Sequence, residues 1–209
     1  MGVHRPPDGP VTRLPRSFFQ RDLVACAREL IGCELRWDQC AGVIVETEAY
    51  AALNDEACHT FHRPSARAFV ATHVAGTAYV YFNYGMYWLF NVLVKGGTED
   101  GFVLIRALEP TVGLAKMEER RGVSRKKGGL PVWLCSGPGK LTIALGISGD
   151  DHGRDLCASG VNGFHVARKA EVVADVRVGI SKAKDFPWRF LEKGSPYVSA
   201  RPKVATAPA

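Results

Sequence analysis

Two carboxylates, Glu46 and Glu48, stand in a run that is otherwise nearly all apolar, Val43-Ile44-Val45-Glu46-Thr47-Glu48-Ala49-Tyr50. Carboxylates activate water or protonate leaving groups, and apolar surroundings tune them for either task. On a regular strand Ile44, Glu46, Glu48 and Tyr50 share one face, with the carboxylates about 6.5–7 Å apart. The plainer account of such a pair is a salt bridge or an edge-strand charge. Arg106 is the single charge at the end of a second apolar run, Phe102-Val103-Leu104-Ile105-Arg106, and is a natural partner for one carboxylate. An arginine beside a carboxylate keeps it ionised, able to polarise or orient a water. Here too the alternative is a purely structural ion pair. A third cluster is aromatic: Tyr79, Tyr81, Tyr84 and Tyr87 fall within nine positions. Tyr79 and Tyr87 fit strand packing, which tyrosine favours. Tyr84, beside Gly85, falls at a hairpin tip, where an exposed aromatic marks a contact surface and can wedge between stacked bases.

Rigid elements must position these groups. Leu35–Trp37 and Gly42–Ala49 read as strands joined across Asp38-Gln39-Cys40-Ala41, and Thr77–Asn83 with Tyr87–Lys95 as a hairpin. Phe102–Leu108 reads as a buried strand. Further strands are expected at 163–167, 172–180 and 188–191. Helical spacing runs from Phe18 to Ile31, with Ser17 near the start and Gly32 past the end. Glu109–Arg121 also reads as helix, as does Leu141–Leu145 after Gly137-Pro138-Gly139-Lys140. Residues 51–70 read as irregular and polar. Hairpin-linked strands with peripheral helices make an α+β fold.

The 209 residues suffice for one good core or two small domains. The net charge of +6 favours an acidic partner or serves solubility, and Arg120, Arg121, Arg125, Lys126 and Lys127 cluster in one apparent loop. The six cysteines form no C-x-x-C pair and read as reduced, buried thiols. Cys58, His59 and His62 lack a matching second pair, so no metal is expected. No apolar run reaches the ~20 residues of a membrane span, and residues 1–11 lack the apolar core of a secretory signal. Residues 1–11 are expected to form a flexible arm, 12–200 the folded domain and 201–209 a flexible tail. With no apolar stripe left unexplained, a monomer is expected.

Six collinear blocks make the chain recognisable. They are Ile44–Tyr50, Asp55-Glu56-Ala57-Cys58-His59, Tyr79–Tyr87, Leu104-Ile105-Arg106-Ala107-Leu108-Glu109-Pro110, Leu134-Cys135-Ser136-Gly137-Pro138-Gly139-Lys140-Leu141 and Gly194-Ser195-Pro196-Tyr197-Val198-Ser199. In order, from about Thr12 to Ser199, they resemble the alkyladenine (3-methyladenine) DNA glycosylase family. The resemblance implies a single α+β domain with a curved antiparallel sheet and a protruding aromatic hairpin that enters the DNA minor groove. It implies hydrolysis of the bond between a damaged purine and its sugar, without metal, cofactor or lysine Schiff base, leaving an abasic site. By position, Glu48 becomes the general base, with Arg106 and the backbone carbonyl of Val178 helping to hold the water. Glu46 then supports the strand or pocket wall. Tyr50 and Tyr81 sandwich the flipped base, His59 donates at the pocket edge, and Asn91 sits where the family screens purine exocyclic groups. Tyr84 fills the gap left in the duplex, while Met86 and Tyr87 line the groove. Arg67, Lys140 and the basic loop hold phosphates. The implied partner is double-stranded DNA carrying 3-methyladenine, 7-methylguanine, hypoxanthine or ethenoadenine. The expected location is cytoplasmic and nucleoid-associated in a bacterium, or nuclear in a eukaryote.

The chain departs from the family at one place. Ser65-Ala66-Arg67-Ala68 stands where members commonly carry Thr-x-Arg-Asn, and Ala71-Thr72 replaces a Met-Phe pair. Two other readings of the residues stay open. The carboxylate spacing falls within the roughly 6.5–9.5 Å of an inverting glycoside hydrolase. A non-catalytic binder of damaged bases would use the same aromatics with Glu48 merely structural.

Overall fold

The run that carries the carboxylates is the spine of the sheet. The structure, a computed structural model, describes residues 12–83, 85–124 and 129–202. Its strands are β1 (Glu34–Trp37), β2 (Cys40–Ala51), β3 (Ala78–Asn83), β4 (Tyr87–Val94), β5 (Gly101–Val112), β6 (Gly163–His165), β7 (Val172–Asp175) and β8 (Arg189–Glu192). Its helices are α1 (Leu23–Glu29), α2 (His59–His62), α3 (Pro64–Thr72), α4 (Leu114–Arg121), α5 (Val132–Cys135) and α6 (Pro138–Leu145). The strands form one antiparallel sheet in the order β3-β4-β5-β2-β1-β6, with β8 on β2 and β7 on β8. This is the expected α+β single domain. The arm 1–11, Tyr84, Arg125 to Lys127 and the tail beyond 202 lie outside the described residues.

Every residue of β2 is buried except Tyr50, which is half-buried. The strand is enclosed because three neighbours share it. β5 pairs along its length, β1 along its first part, and β8 across Glu46 to Glu48. Helices α1, α5 and α6 pack against the central strands. The main core lies there, with Phe164 against Phe19 and Phe90 at ring separations of 5.5 and 6.1 Å. Each such ring removed from water contributes about 1.5–3 kcal/mol.

Two β-bulges set the phase of the site. The β2–β5 register steps from Ile44↔Leu108 to Glu46↔Ala107, leaving Val45 as an extra residue. It steps again from Glu46↔Ala107 to Thr47↔Ile105, leaving Arg106 extra on the opposite strand. A bulge re-aims the side chain it carries. The expectation of one face for Ile44, Glu46, Glu48 and Tyr50 is therefore corrected: Ile44 lies in the main core with Ala49 and Ala51. Val45 packs with Ala107 and Tyr197 instead.

Other boundaries differ for local reasons. The expected helix from Phe18 is split into a 3₁₀ turn at Arg16–Phe19 and α1, because Asp22 rather than Ser17 caps the helix, accepting from the Ala25 amide at 2.8 Å. The β1–β2 turn uses only Asp38 and Gln39, with Asp38 at φ +54°, a left-handed conformation that aspartate tolerates. Residues 59–72 are not irregular. Pro64 starts α3 at a position where its missing N–H costs nothing, and Ala66 and Phe69 form its buried face. β5 runs on through Pro110, so α4 starts at Leu114 rather than at Glu109. β7 ends at Asp175, and the residues after it form a loop over the site.

Candidate active site

Glu48 has no exposed surface, and its carboxylate accepts from three donors. The Val178 amide donates to Oε1 at 2.8 Å, and the Tyr50 hydroxyl to Oε2 at 2.7 Å. Arg106 Nη1 donates to Oε2 at 3.1 Å. A carboxylate offers about four acceptor positions, so one remains, on Oε1. Burial raises the pKa of Glu48 above its ordinary 4.5, and the pull of Arg106, Tyr50 and Val178 only partly reverses it. Arg106 was expected to keep Glu48 ionised. It helps, but desolvation outweighs it and makes Glu48 a stronger base. Desolvation also opposes the charge on Arg106, but Glu48 and Glu46 outweigh that and raise its pKa.

Glu46 is not an equivalent partner. Its oxygens accept from Arg106 Nε at 2.9 Å, Arg189 Nε at 2.8 Å, the Ser199 hydroxyl at 2.8 Å and the Ser199 amide. Three of these donors converge on Oε1 and one on Oε2, which locks the carboxylate in place, so Glu46 anchors the site. Arg189 in turn donates to Asp175 at 3.0 Å. Two arginines held on Glu46 weigh against a two-carboxylate glycoside hydrolase, which needs both groups free to exchange protons.

The three partners of Glu48 all border one cleft of about 670 Å³, and Glu48 lies directly behind them. Tyr81 of β3, Asn91 of β4, and Leu104 and Arg106 of β5 also line it. Tyr81 and His59 meet at 4.1 Å between ring centroids, and His59 Nδ1 lies 3.1 Å from the Tyr79 hydroxyl. Burial, helped by the charges of Arg63 and His62, lowers the His59 pKa to about 4. The imidazole is therefore neutral at physiological pH. Burial raises the hydroxyl of Tyr79 to about 12 and pushes Tyr81 higher still. Asn91 donates to the Tyr79 carbonyl at 3.1 Å, which fixes its side chain at the wall. The expected pocket set, Tyr50, His59, Tyr81 and Asn91, thus comes together around Glu48, Arg106 and Val178. The Val178 amide also contacts Glu48, a contact that sequence reasoning did not anticipate.

The expected DNA-contacting residues are more spread out. Met86 and Tyr87 are exposed, at 63% and 43%. Tyr87 packs on Gly139, where a Cβ would come within 2.7 Å of the ring, so glycine lets α6 abut the hairpin. Lys140, on the first turn of α6, lies at the cleft rim with Arg121 and Lys182. Arg67 is exposed but donates to the Thr60 carbonyl at 2.6 Å, bracing α2 from α3. Tyr84 lies outside the described residues.

Sequence reasoning missed Ser199, Arg189 and the pair Arg177–Asp55. Arg189 carried the signal that singled out Arg106, a lone arginine in an apolar run, Trp188-Arg189-Phe190-Leu191. Arg177 and Asp55 sit in mixed segments and gave none.

A sequence profile of the methylpurine-DNA glycosylase family matches residues 17–196, most of the chain. The chain belongs to the methylpurine-DNA glycosylase family. A relative from Rhodopseudomonas palustris, named "Putative 3-methyladenine DNA glycosylase", is 44% identical over 198 residues, covering 95% of this chain and 92% of its own. Relatives of the same name from Agrobacterium fabrum and Methanoculleus marisnigri are 42% and 44% identical, covering 90% of this chain and 93% and 99% of their own. Membership in the methylpurine-DNA glycosylase family accounts for the six sequence blocks. Five of them border this cleft or the Glu46–Arg106 network behind it, and the Ser136–Lys140 block forms the rim. Among the described residues, no helix is long and apolar enough to cross a membrane.

Proposed function

We propose that the protein is a 3-methyladenine DNA glycosylase of base excision repair. It takes a damaged purine into the cleft and hydrolyses its N-glycosyl bond, leaving an abasic site with the strand intact. The observation that carries the reading is the environment of Glu48: a buried carboxylate with a raised pKa, three fixed donors and one acceptor position left, behind the wall of an aromatic cleft.

A base inside a duplex is unreachable until flipped, which costs a few kcal/mol and least for a damaged base. Tyr84, by resemblance, fills the vacated stack. Tyr50 and Tyr81 hold the flipped base. A purine alkylated at N3 or N7 is cationic, and contact with tyrosine faces favours it by about 0.5–2 kcal/mol. Such a base leaves readily, so one water activated by Glu48 suffices. Glu48 has no surface open to the cleft, so its reach to that water comes from tightening when substrate binds. A neutral lesion such as hypoxanthine needs a proton on its leaving group. His59, neutral at physiological pH, is a poor source of one. Lys140, Arg121 and Lys182 at the rim hold phosphates without reading sequence.

The test is single-turnover base release from duplexes carrying 3-methyladenine, 7-methylguanine, hypoxanthine or ethenoadenine, followed by alkaline cleavage. Release is expected without added metal, with no strand break before alkali and with binding that falls steeply with salt. Glu48→Gln should slow release by about 10²–10⁴-fold while leaving duplex binding in place. Release at the unaltered rate removes Glu48 as the base, and release of none of the four bases refutes the glycosylase. Tyr84→Ala should weaken lesion binding and slow excision.

A further inference from the structure

Arg177 and Asp55 form an ion pair in which neither side chain has any exposed surface. Neither touches Glu48. Two buried charges gain little stability over apolar side chains of similar volume, so stability alone is a weak account of the pair. A guanidinium fork on a carboxylate does supply a fixed orientation. We propose that Arg177, clamped by Asp55, is a positioning residue for base release: it holds the Val178 amide on Glu48 and the Tyr50 ring at the cleft wall as one rigid unit.

The contacts run to three separate segments. Arg177 Nη1 donates to Asp55 Oδ2 at 2.6 Å and to the Ala49 carbonyl at 2.9 Å, on the strand between Glu48 and Tyr50. Nη2 donates to Asp55 Oδ1 at 2.9 Å and to the Ala183 carbonyl at 3.0 Å, closing the loop that carries Val178. The Asp55 carboxylate also accepts from the amides of Ala51 and Ala57, each at 3.1 Å, and so fixes the turn that delivers Cys58 and His59. The guanidinium carbon lies 4.6 Å from the centre of the Tyr50 ring. One side chain thus ties the end of β2, the turn before α2 and the loop after β7. These three segments supply Glu48, Tyr50, His59 and the Val178 amide.

The consequence follows from adjacency. Val178 is the next residue along the chain, so an Arg177 that cannot rotate leaves the Val178 N–H aimed at Oε1 of Glu48. The other charged or titratable groups facing Glu48 are Arg106 from β5, Tyr81 from β3, and Tyr50 and Glu46 from its own strand. Arg106 and Glu46 are held by contacts that do not involve Arg177, so loosening the clamp acts through the Val178 amide and Tyr50. Losing the Val178 amide removes one donor that favours the ionised carboxylate, so release should require a higher pH.

The proposal rests on Glu48 acting as the base. It is tested with Arg177→Lys and Asp55→Asn, and with Phe164→Leu as a control that loosens the core away from the site. Single-turnover release is measured across pH with enzyme in excess, alongside duplex affinity and thermal stability. Both clamp variants should slow saturated release at neutral pH by about tenfold to a hundredfold, as small misplacements of reacting groups do. They should also move the acid limb of the profile to higher pH, with duplex affinity unchanged. Phe164→Leu should lower the melting temperature and leave the acid limb where it is. Folded clamp variants with the unaltered rate and limb overturn the proposal, as does an equal limb shift in Phe164→Leu. If neither clamp variant folds, amide hydrogen exchange in the unaltered protein decides. The Val178 amide should exchange far more slowly than that of exposed Gly179, and equal exchange overturns the clamp. Glu48→Gln retaining full release would refute the base assignment. Loss of release in Glu48→Gln with ordinary behaviour of Arg177→Lys would refute the clamp alone.

Discussion

Tyr50→Phe removes one oxygen and keeps the ring. That oxygen donates to Oε2 of Glu48 at 2.7 Å, so the variant deletes one of three donors to the carboxylate while the aromatic wall and the Arg177 contact persist. A hydrogen bond to a charged group is worth about 1.5–3 kcal/mol. At about 1.4 kcal/mol per factor of ten, the ratio of ionised to neutral Glu48 at a fixed pH falls by about tenfold to a hundredfold. The pKa of Glu48 is already raised by burial, and losing a donor raises it further. Release by the variant should therefore fall by that factor on the acid side of the profile and converge on the unaltered rate on the alkaline side. A mere loss of contact with the base would lower the whole profile. The assay is single-turnover release of 7-methylguanine with enzyme in excess, from mildly acid to alkaline pH. An acid limb that does not move would refute the placement of the hydroxyl on the base, whatever happened to the plateau.

Three further outcomes are expected. Because the folded-state pKa of Glu48 lies above 4.5, its favourable contribution is present below that pH and is lost as pH rises through the raised value. Glu48→Gln should therefore melt higher than the unaltered protein at neutral pH, with the gap closing on acidification, and a lower melting point at neutral pH contradicts this. Arg189→Met takes the buried guanidinium from Glu46 and Asp175 and should cost about 3–5 kcal/mol in urea denaturation, whereas a cost below about 1 kcal/mol would show the network to be dispensable. Cys26 and Cys135 are fully buried, with thiols pushed up to about 12, so a thiol reagent at neutral pH should label them only after unfolding. Rapid labelling of the native protein would refute that burial.

What could be read from the sequence was residue chemistry in regular segments. Alternation located β2, the β3–β4 pair and the apolar part of β5, and isolated charges within them pointed to Glu48 and Arg106. The phase was not legible, because it depends on two bulges that only the pairing of β2 with β5 creates. A regular strand would put Ile44 beside Glu46, and the extra Val45 sends it to the opposite face. The short helices at 59–72 were hidden because four-residue α2 has no period to detect and α3 buries only Ala66 and Phe69. The inequality of the two carboxylates came by position from the family resemblance. Its physical cause is Arg189 and Ser199, more than 140 residues away along the chain. A lone arginine in an apolar run marks Arg189 as a candidate, but nothing local names its partner. Arg177 and Asp55, 122 positions apart, are another such pair.

The enclosure of β2 divides the site into a part that tolerates change and a part that does not. Eleven of its twelve residues are buried, and its ladder partners occupy both edges, so almost any substitution there disturbs packing as well as chemistry. The cleft is also bordered by two short segments outside the sheet, residues 56–59 on one side and 178–182 on the other. Libraries that randomise 56–58 and 179–182, sparing Asp55, His59, Arg177 and Val178, should alter what the cleft accepts without touching Glu48 or its three partners.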